Sequence, residues 1–183
     1  MKQKSDIRVI DNFVKEEHFE EMYKFFTSEN VNWNFFEGIS DSDVTAKISY
    51  DNSFLDNYFF THRIYDKMRP QSDCFEGLHN MLNPLFEEYL GCEYNQMVRM
   101  KANLYPRTQK INRHPWHNDN PHQSNLKGAL LMINTCDGFT GFIDGTKVES
   151  VANRIIFFNP NEKHHSTSTT NSSTRITLNV NYL

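Results

Sequence analysis

From Arg175 to the end of the chain the sequence alternates with a period of two. Ile176, Leu178, Val180 and Tyr182 fall on one face, and Arg175, Thr177, Asn179 and Asn181 fall on the other. Such a strand cannot have dry core on both sides, because an unpaired guanidinium is costly to bury. It must separate an apolar core from a polar pocket. Within that pocket Arg175 offers a planar fork matched to a carboxylate, and Thr177 adds a hydroxyl beside it.

The residues before this strand continue the β pattern. Val98 to Tyr105 sets Met100, Ala102 and Leu104 on one face and Lys101, Asn103 and Tyr105 on the other. Lys127 to Thr135 is an apolar run too short for a buried helix. Asp144-Gly145 predicts a two-residue hairpin between Phe142-Ile143 and Lys147-Val148, and Arg154 to Phe158 is the next strand, closed by Asn159-Pro160. About seven strands from Val98 onward approach the eight of a double-sheet jelly roll. The expected fold is mainly β (α+β): a double-stranded β-helix of the jelly-roll, cupin-like kind, braced by N-terminal helices.

One ribbon carries metal-ligand chemistry. In Arg113-His114-Pro115-Trp116-His117-Asn118-Asp119-Asn120-Pro121, His117 and Asp119 are two residues apart and share a face if extended. An imidazole and a carboxylate completed by a distant imidazole, with open positions left over, is the set used by non-haem Fe(II) oxygenases. The second imidazole is available at His164 or His165, and alternation allows only one of the two to reach the metal.

On these residues the chain resembles the Fe(II)- and 2-oxoglutarate-dependent dioxygenases of the prolyl-hydroxylase-like branch, and the compact single-domain oxygenases of phage genomes. The resemblance rests on His117-x-Asp119, a late His, Arg175, Tyr105-Pro106, His117-Asn118-Asp119-Asn120-Pro121 and Gly138-Phe139-Thr140-Gly141-Phe142, and covers about the last 85 residues. It implies His117, Asp119 and His165 as metal ligands, His165 being chosen because Arg175 lies ten positions beyond it. It implies that Arg175, with Thr177, pairs with the 5-carboxylate of 2-oxoglutarate, and that Tyr105, Asn103 and Asn179 line the cosubstrate. Where hypoxia-type relatives carry a Tyr anchor, Met132 stands here, and Thr177 is the expected substitute. The implied cofactors are Fe(II), 2-oxoglutarate and O2, with ascorbate as an optional reductant. The implied reaction hydroxylates an unactivated C–H bond and releases succinate and CO2. Asp119 occupies the position that halogenating relatives leave small, which favours hydroxylation.

Length and composition bound the rest. A chain of 183 residues fits a single oxygenase domain over 1–183, with helical support and first strands in 1–97 and the β-helix in 98–183. A net charge of −4 gives no basic footprint for nucleic acid or anionic membrane. Asn181, where nucleic-acid demethylating relatives carry a second Arg, argues the same way. Cys74, Cys92 and Cys136 are an odd number without CxxC spacing, read as small core residues in a reducing compartment. With no apolar leader and no apolar run of membrane length, the expected location is cytoplasmic, the host's cytoplasm for a virus-encoded chain.

In the N-terminal third, Ile7 to Ile10 and Val31 to Glu37 are strand-like, and Lys15 to Thr27 has helical spacing. Tyr58 to Tyr65 has strand composition, and Ser72 to Tyr89 is a second helix that Pro84 should kink or split. Specificity is expected in the loops Gly38 to Asn52 and Arg107 to Arg113, the latter carrying Arg107, Lys110 and Arg113 as solvated charges. His18, His62 and His79 are structural or surface residues. The expected substrate is a small molecule or a protein or peptide side chain, with the oligomeric state open. Two further classes fit the same residues: a cupin-like module holding a metal or small acid without turnover, and a metal-free jelly roll serving in structure or interaction.

Overall fold

The computed structural model describes residues 6–37, 58–119 and 125–183. Eleven strands and two long helices are named among them: β1 (Arg8–Ile10), α1 (Glu16–Phe26), β2 (Asn34–Phe36), β3 (Phe59–Asp66), β4 (Arg69–Pro70), α2 (Phe75–Leu90), β5 (Met97–Pro106), β6 (Lys127–Met132), β7 (Phe139–Phe142), β8 (Lys147–Glu149), β9 (Ile155–Phe158), β10 (His164–His165) and β11 (Thr174–Tyr182). The expected loop Gly38 to Asn52 lies outside the described residues. Seven of the strands, β5 to β11, lie from Met97 onward, as the pattern predicts.

The strands form two sheets. The major sheet runs β1-β9-β6-β11-β5-β3-β2, with β4 hairpinned onto β3, and the minor sheet runs β10-β7-β8. Every recorded strand pair is antiparallel. β11 lies in the middle, zipped along its length to β5 on one side and β6 on the other.

The alternation of β11 decides which side each layer takes. Ile176, Leu178, Val180 and Tyr182 join Met100 and Ala102 of β5 and the buried faces of α1 and α2 in one core. Leu178 is fully buried there, a site where truncation to Ala costs about 2–5 kcal/mol. Aromatic edges knit the helices down: Phe86 of α2 meets Phe13, Phe157 and Tyr182 at centroid distances of 6.1, 5.7 and 5.6 Å. A second, smaller cluster joins Leu130, Met132, Ile156 and Phe158 of the major sheet to Phe142 and Val148 of the minor sheet. The polar face of β11 therefore looks into the space between the two sheets, a double-stranded β-helix.

Several local expectations need correction. The β7–β8 connection has three residues, because Gly145 donates to the Phe142 carbonyl at 2.9 Å and Phe142 donates to Thr146 at 2.9 Å. Gly145 sits at φ +98°, the left-handed conformation that follows a type I turn in such loops. α2 is not split by Pro84, which lies on its exposed face. All three cysteines are free, but Cys92 is exposed while Cys136 is buried. His62 is structural as expected, with one ring nitrogen 3.1 Å from the Asn32 carbonyl and the other 2.9 Å from the Ser72 hydroxyl. No helix among the described residues is long and apolar enough to cross a membrane.

Candidate metal and cosubstrate site

The ribbon holding His117 is pinned antiparallel to the chain around β10. His114 donates to the Ser166 carbonyl at 3.0 Å, Asp119 donates to that of Pro160 at 2.9 Å, and His117 and His164 exchange both backbone hydrogen bonds at 3.0 Å. Residues directly opposite in an antiparallel pair project to the same face. His164 therefore shares a face with His117, and Asp119, two residues on, joins them. Ligand atoms of His117, Asp119 and His164 all lie within 4.8 Å of one another.

His165, expected as the third ligand, does not join this group. As the neighbour of His164 it projects to the opposite side, where its ring stands edge-on to Trp116 at 4.5 Å and to Phe139 at 5.8 Å. Its space exists because residue 141 is glycine; a Cβ there would collide with the His165 ring. The ten-residue interval to Arg175 misleads because the turn between β10 and β11 is one residue longer than that spacing assumes.

Both facing imidazoles are set for coordination. Nδ1 of His117 lies 3.1 Å from the Pro115 carbonyl and Nδ1 of His164 lies 2.9 Å from the Glu162 carbonyl. A nitrogen facing a carbonyl must carry the proton, which leaves each Nε2 as a free lone pair. Burial, then the neighbouring His164, brings the His117 pKa down to about 4, so this ring is neutral at ordinary pH. Burial alone would raise the Asp119 carboxyl, but His164, Arg99, His117 and Lys101 together hold it well below the carboxylate range. The carboxylate also accepts from Nδ2 of Asn179 at 3.2 Å and of Asn181 at 3.3 Å, and Arg99 stands 3.7 Å away. Asn179, expected at the cosubstrate, lines the cleft and also donates to Asp119. Asn181 shares that task, which the sequence reading missed; its place on the polar face of β11 was the available signal.

Two rungs deeper in the same strand lies Arg175, fully buried. Its guanidinium donates to Thr140 Oγ1 at 2.9 Å and to the Thr167 carbonyl at 3.3 Å, and its central carbon stands 5.5 Å from the Tyr105 ring centre. The Nε–H has no partner among the described residues, and no carboxylate pairs with this cation there. Burial lowers its pKa. Tyr105 is wedged between Phe59 and His114, stacked at 5.8 and 5.1 Å. Its ring stands against the guanidinium and lines the cleft, and the sequence reading did not foresee Thr140 as the hydroxyl partner. Gly138 makes room: a Cβ there would lie 2.6 Å from Arg175 Cδ and 2.6 Å from the Ser168 carbonyl. Asn103 and Thr177 are buried on the same face, and the Oδ1 atoms of Asn103 and Asn179 have no hydrogen-bond partner among the described residues.

These groups line one cleft, running from His117, Asp119 and His164 down to Thr140 and Arg175. His-Asp-His is a donor set suited to Fe(II) with positions left open. An unpaired buried guanidinium together with orphaned polar atoms fits a bound dicarboxylate. By contrast Arg107, Lys110 and Arg113 are exposed on the outside, as expected of solvated charges.

The same fold recurs in solved structures. A prolyl-4-hydroxylase from Pseudomonas putida aligns over 98% of this chain and 93% of its own at 15% identity and a TM-score of 0.59. A 2OG-Fe(II) oxygenase family protein from Burkholderia pseudomallei covers 96% and 84% at 12% identity and 0.67. A Trichoplax adhaerens prolyl hydroxylase, solved with a hypoxia inducible factor peptide fragment, covers 98% and 84% at 14% identity and 0.63. This chain has the fold of the 2-oxoglutarate oxygenases. No protein-family model matches it, and no curated sequence does either.

Proposed function

We propose that this chain is an Fe(II)- and 2-oxoglutarate-dependent dioxygenase that hydroxylates an unactivated C–H bond. The observation that carries the reading is Arg175: a fully buried cation with no carboxylate partner among the described residues, on the face that also carries the orienters of Asp119. Burying an uncompensated guanidinium costs several kcal/mol. A dianion that arrives with the reaction accounts for it, and a purely structural strand does not.

His117, Asp119 and His164 would hold Fe(II), and Arg175 with Thr140 would pair with the far carboxylate of 2-oxoglutarate. Together, iron and cosubstrate supply the oxidising power, consuming O2 and releasing succinate and CO2. The chain's own work is positioning. Asn179 and Asn181 fix the Asp119 carboxylate, the carbonyls of Pro115 and Glu162 fix the two imidazoles, and Tyr105 keeps the guanidinium from turning. Leu130 and Phe158 add apolar surface to the same cleft, Phe158 with its ring 5.1 Å from that of His164.

Anaerobic addition of Fe(II) and 2-oxoglutarate to the pure protein tests this. The expected result is the visible charge-transfer band of the chelate, followed in air by succinate formation. Absence of a band at saturating iron and 2-oxoglutarate would refute the proposal.

A further inference from the structure

Three cationic side chains share the lumen face with the metal ligands. Lys101 of β5 pairs in register with Asn179 of β11 on one side and with Arg63 of β3 on the other, and Arg99 pairs with Asn181 one rung further along. All three therefore project from the same face as the two asparagines that hold Asp119. Lys101 Nζ stands 6.0 Å from the Phe59 ring centre and Arg63 Cζ stands 6.0 Å from that of Phe36. Those two rings are themselves only 5.7 Å apart, so each of the two cationic heads lies against one ring of the same aromatic pair. Arg99 adds a buried Nε–H with no partner among the described residues.

Among the described residues, the acids that act on Lys101 are Asp119 and Asp66. Asp119 is committed to the metal in the proposed site. Among the described residues, iron, Arg175 and these three cations outweigh the cosubstrate dianion and these two carboxylates, which leaves positive charge on the side away from Arg175. Like charges gathered at a cleft mouth focus a field that concentrates anions.

We propose that the substrate carries an anionic oxyacid group, a carboxylate or a phosphate ester, held by Arg63, Lys101 and Arg99 next to the carbon that is oxidised. This rests on the oxygenase reading for its reaction but not for its binding. The platform sets both the charge of the substrate and its orientation, with the acid group over Phe36 and Phe59 and the reacting carbon toward His117 and His164.

The test uses the full chain and resolves arginine Nε–H signals by NMR, with inorganic phosphate and acetate as probes at constant ionic strength and chloride as the reference. It is run on the metal-free chain and on the chain loaded with Zn(II) and 2-oxoglutarate. Expected are saturable shifts of Arg63 and Arg99 with phosphate or acetate while the Arg175 signal keeps its 2-oxoglutarate-bound position. Arg63→Gln, which leaves the metal ligands untouched, should weaken the favoured anion about tenfold, the loss of one charge-assisted contact, and leave Zn(II) affinity unchanged. The stronger of the two probes identifies the oxyacid class. Shifts no larger than with chloride, or anion binding abolished by 2-oxoglutarate, would overturn the proposal. Failure of Arg175 to respond to 2-oxoglutarate, with the phosphate or acetate response intact in the metal-free chain, would instead strike the oxygenase reading alone.

Discussion

His117 and His164 face each other across a single antiparallel bridge, each donating its backbone N–H to the other's carbonyl at 3.0 Å. Their ring centres are 4.6 Å apart, and the pairing leaves His165 on the far side of the ribbon. His164→Ala should therefore abolish the Fe(II)–2-oxoglutarate charge-transfer band. His165→Ala should keep it while losing stability from the space opened between Trp116 and Phe139. The reverse pattern would return the third ligand to His165.

Gly138 lies against the Arg175 side chain, where a Cβ would not fit. In Gly138→Ala the new methyl meets a side-chain carbon and a backbone oxygen, both at 2.6 Å, so the Ser168 backbone or the Arg175 side chain must shift. A displacement of about 1 Å at such a site can cost about 100-fold. The 2-oxoglutarate affinity should fall by up to that factor, with metal affinity nearly unchanged, as equilibrium titrations with each would report.

The two strands β5 and β11 and the His117-x-Asp119 ribbon were legible in the sequence because a period of two fixes which residues share a face. The pattern could not decide between His164 and His165. That choice depends on which residue lies opposite His117, a register between segments more than forty positions apart, and no local signal encodes it. Thr140 and the Arg63–Lys101 pair were hidden for the same reason. Asn181 was visible on the polar face but had no partner until Asp119 was placed above it. The hairpin at Gly145 and the unbroken α2 show the opposite limit: turn and breaker residues marked the right places, while the Phe142–Thr146 hydrogen bond set the loop length and the helix ran on through Pro84.

Asn181 and Asn179 each donate to the same oxygen of Asp119, at 3.3 and 3.2 Å. Removing the partner of a ligating carboxylate typically weakens metal binding about 10–100-fold. Asn181→Ala should fall in that range, measured by competition of Mn(II) with a chelator. An unchanged affinity would mean that Asn179 and Arg99 suffice to hold the carboxylate.

His114 ties stability to pH. Burial first, then the charges of Arg175, His117 and His165, pull its pKa from 6.5 down to about 3. Above pH 6.5 the folded and unfolded chains are both neutral at this residue. As pH falls from about 6.5 toward about 3 the unfolded chain takes up a proton that the folded chain refuses, so stability is lost on acidification. Depression of His117 to about 4 acts in the same direction. The melting temperature of the metal-free protein should drop between pH 6.5 and 4. His114→Phe, which keeps an aromatic ring against Tyr105, should flatten part of that slope. A melting temperature that holds steady or rises over this range would contradict the assignment.

The β3–β4 hairpin is closed by two residues, Lys67 and Met68, between the paired Asp66 and Arg69. Both take left-handed backbone, at φ +53° and +62°, the conformation of a type I′ turn that Asn-Gly satisfies without strain. A left-handed non-glycine residue carries a penalty of about 1–2 kcal/mol, and Met68 is 63% exposed, so little packing would be lost with its side chain. Met68→Gly should therefore stabilise the protein by about 1 kcal/mol, after the greater freedom of glycine in the unfolded chain is subtracted. In a chain of this size that corresponds to a rise of about 2–4 °C in melting temperature. Adding Lys67→Asn should raise it further. Because the turn is built from backbone conformation and lies away from the ligands, both variants should bind metal and 2-oxoglutarate as the parent does. A lower melting temperature in Met68→Gly would show that the contact between Gln96 and the Met68 sulfur, at 3.7 Å, outweighs the relief of the turn.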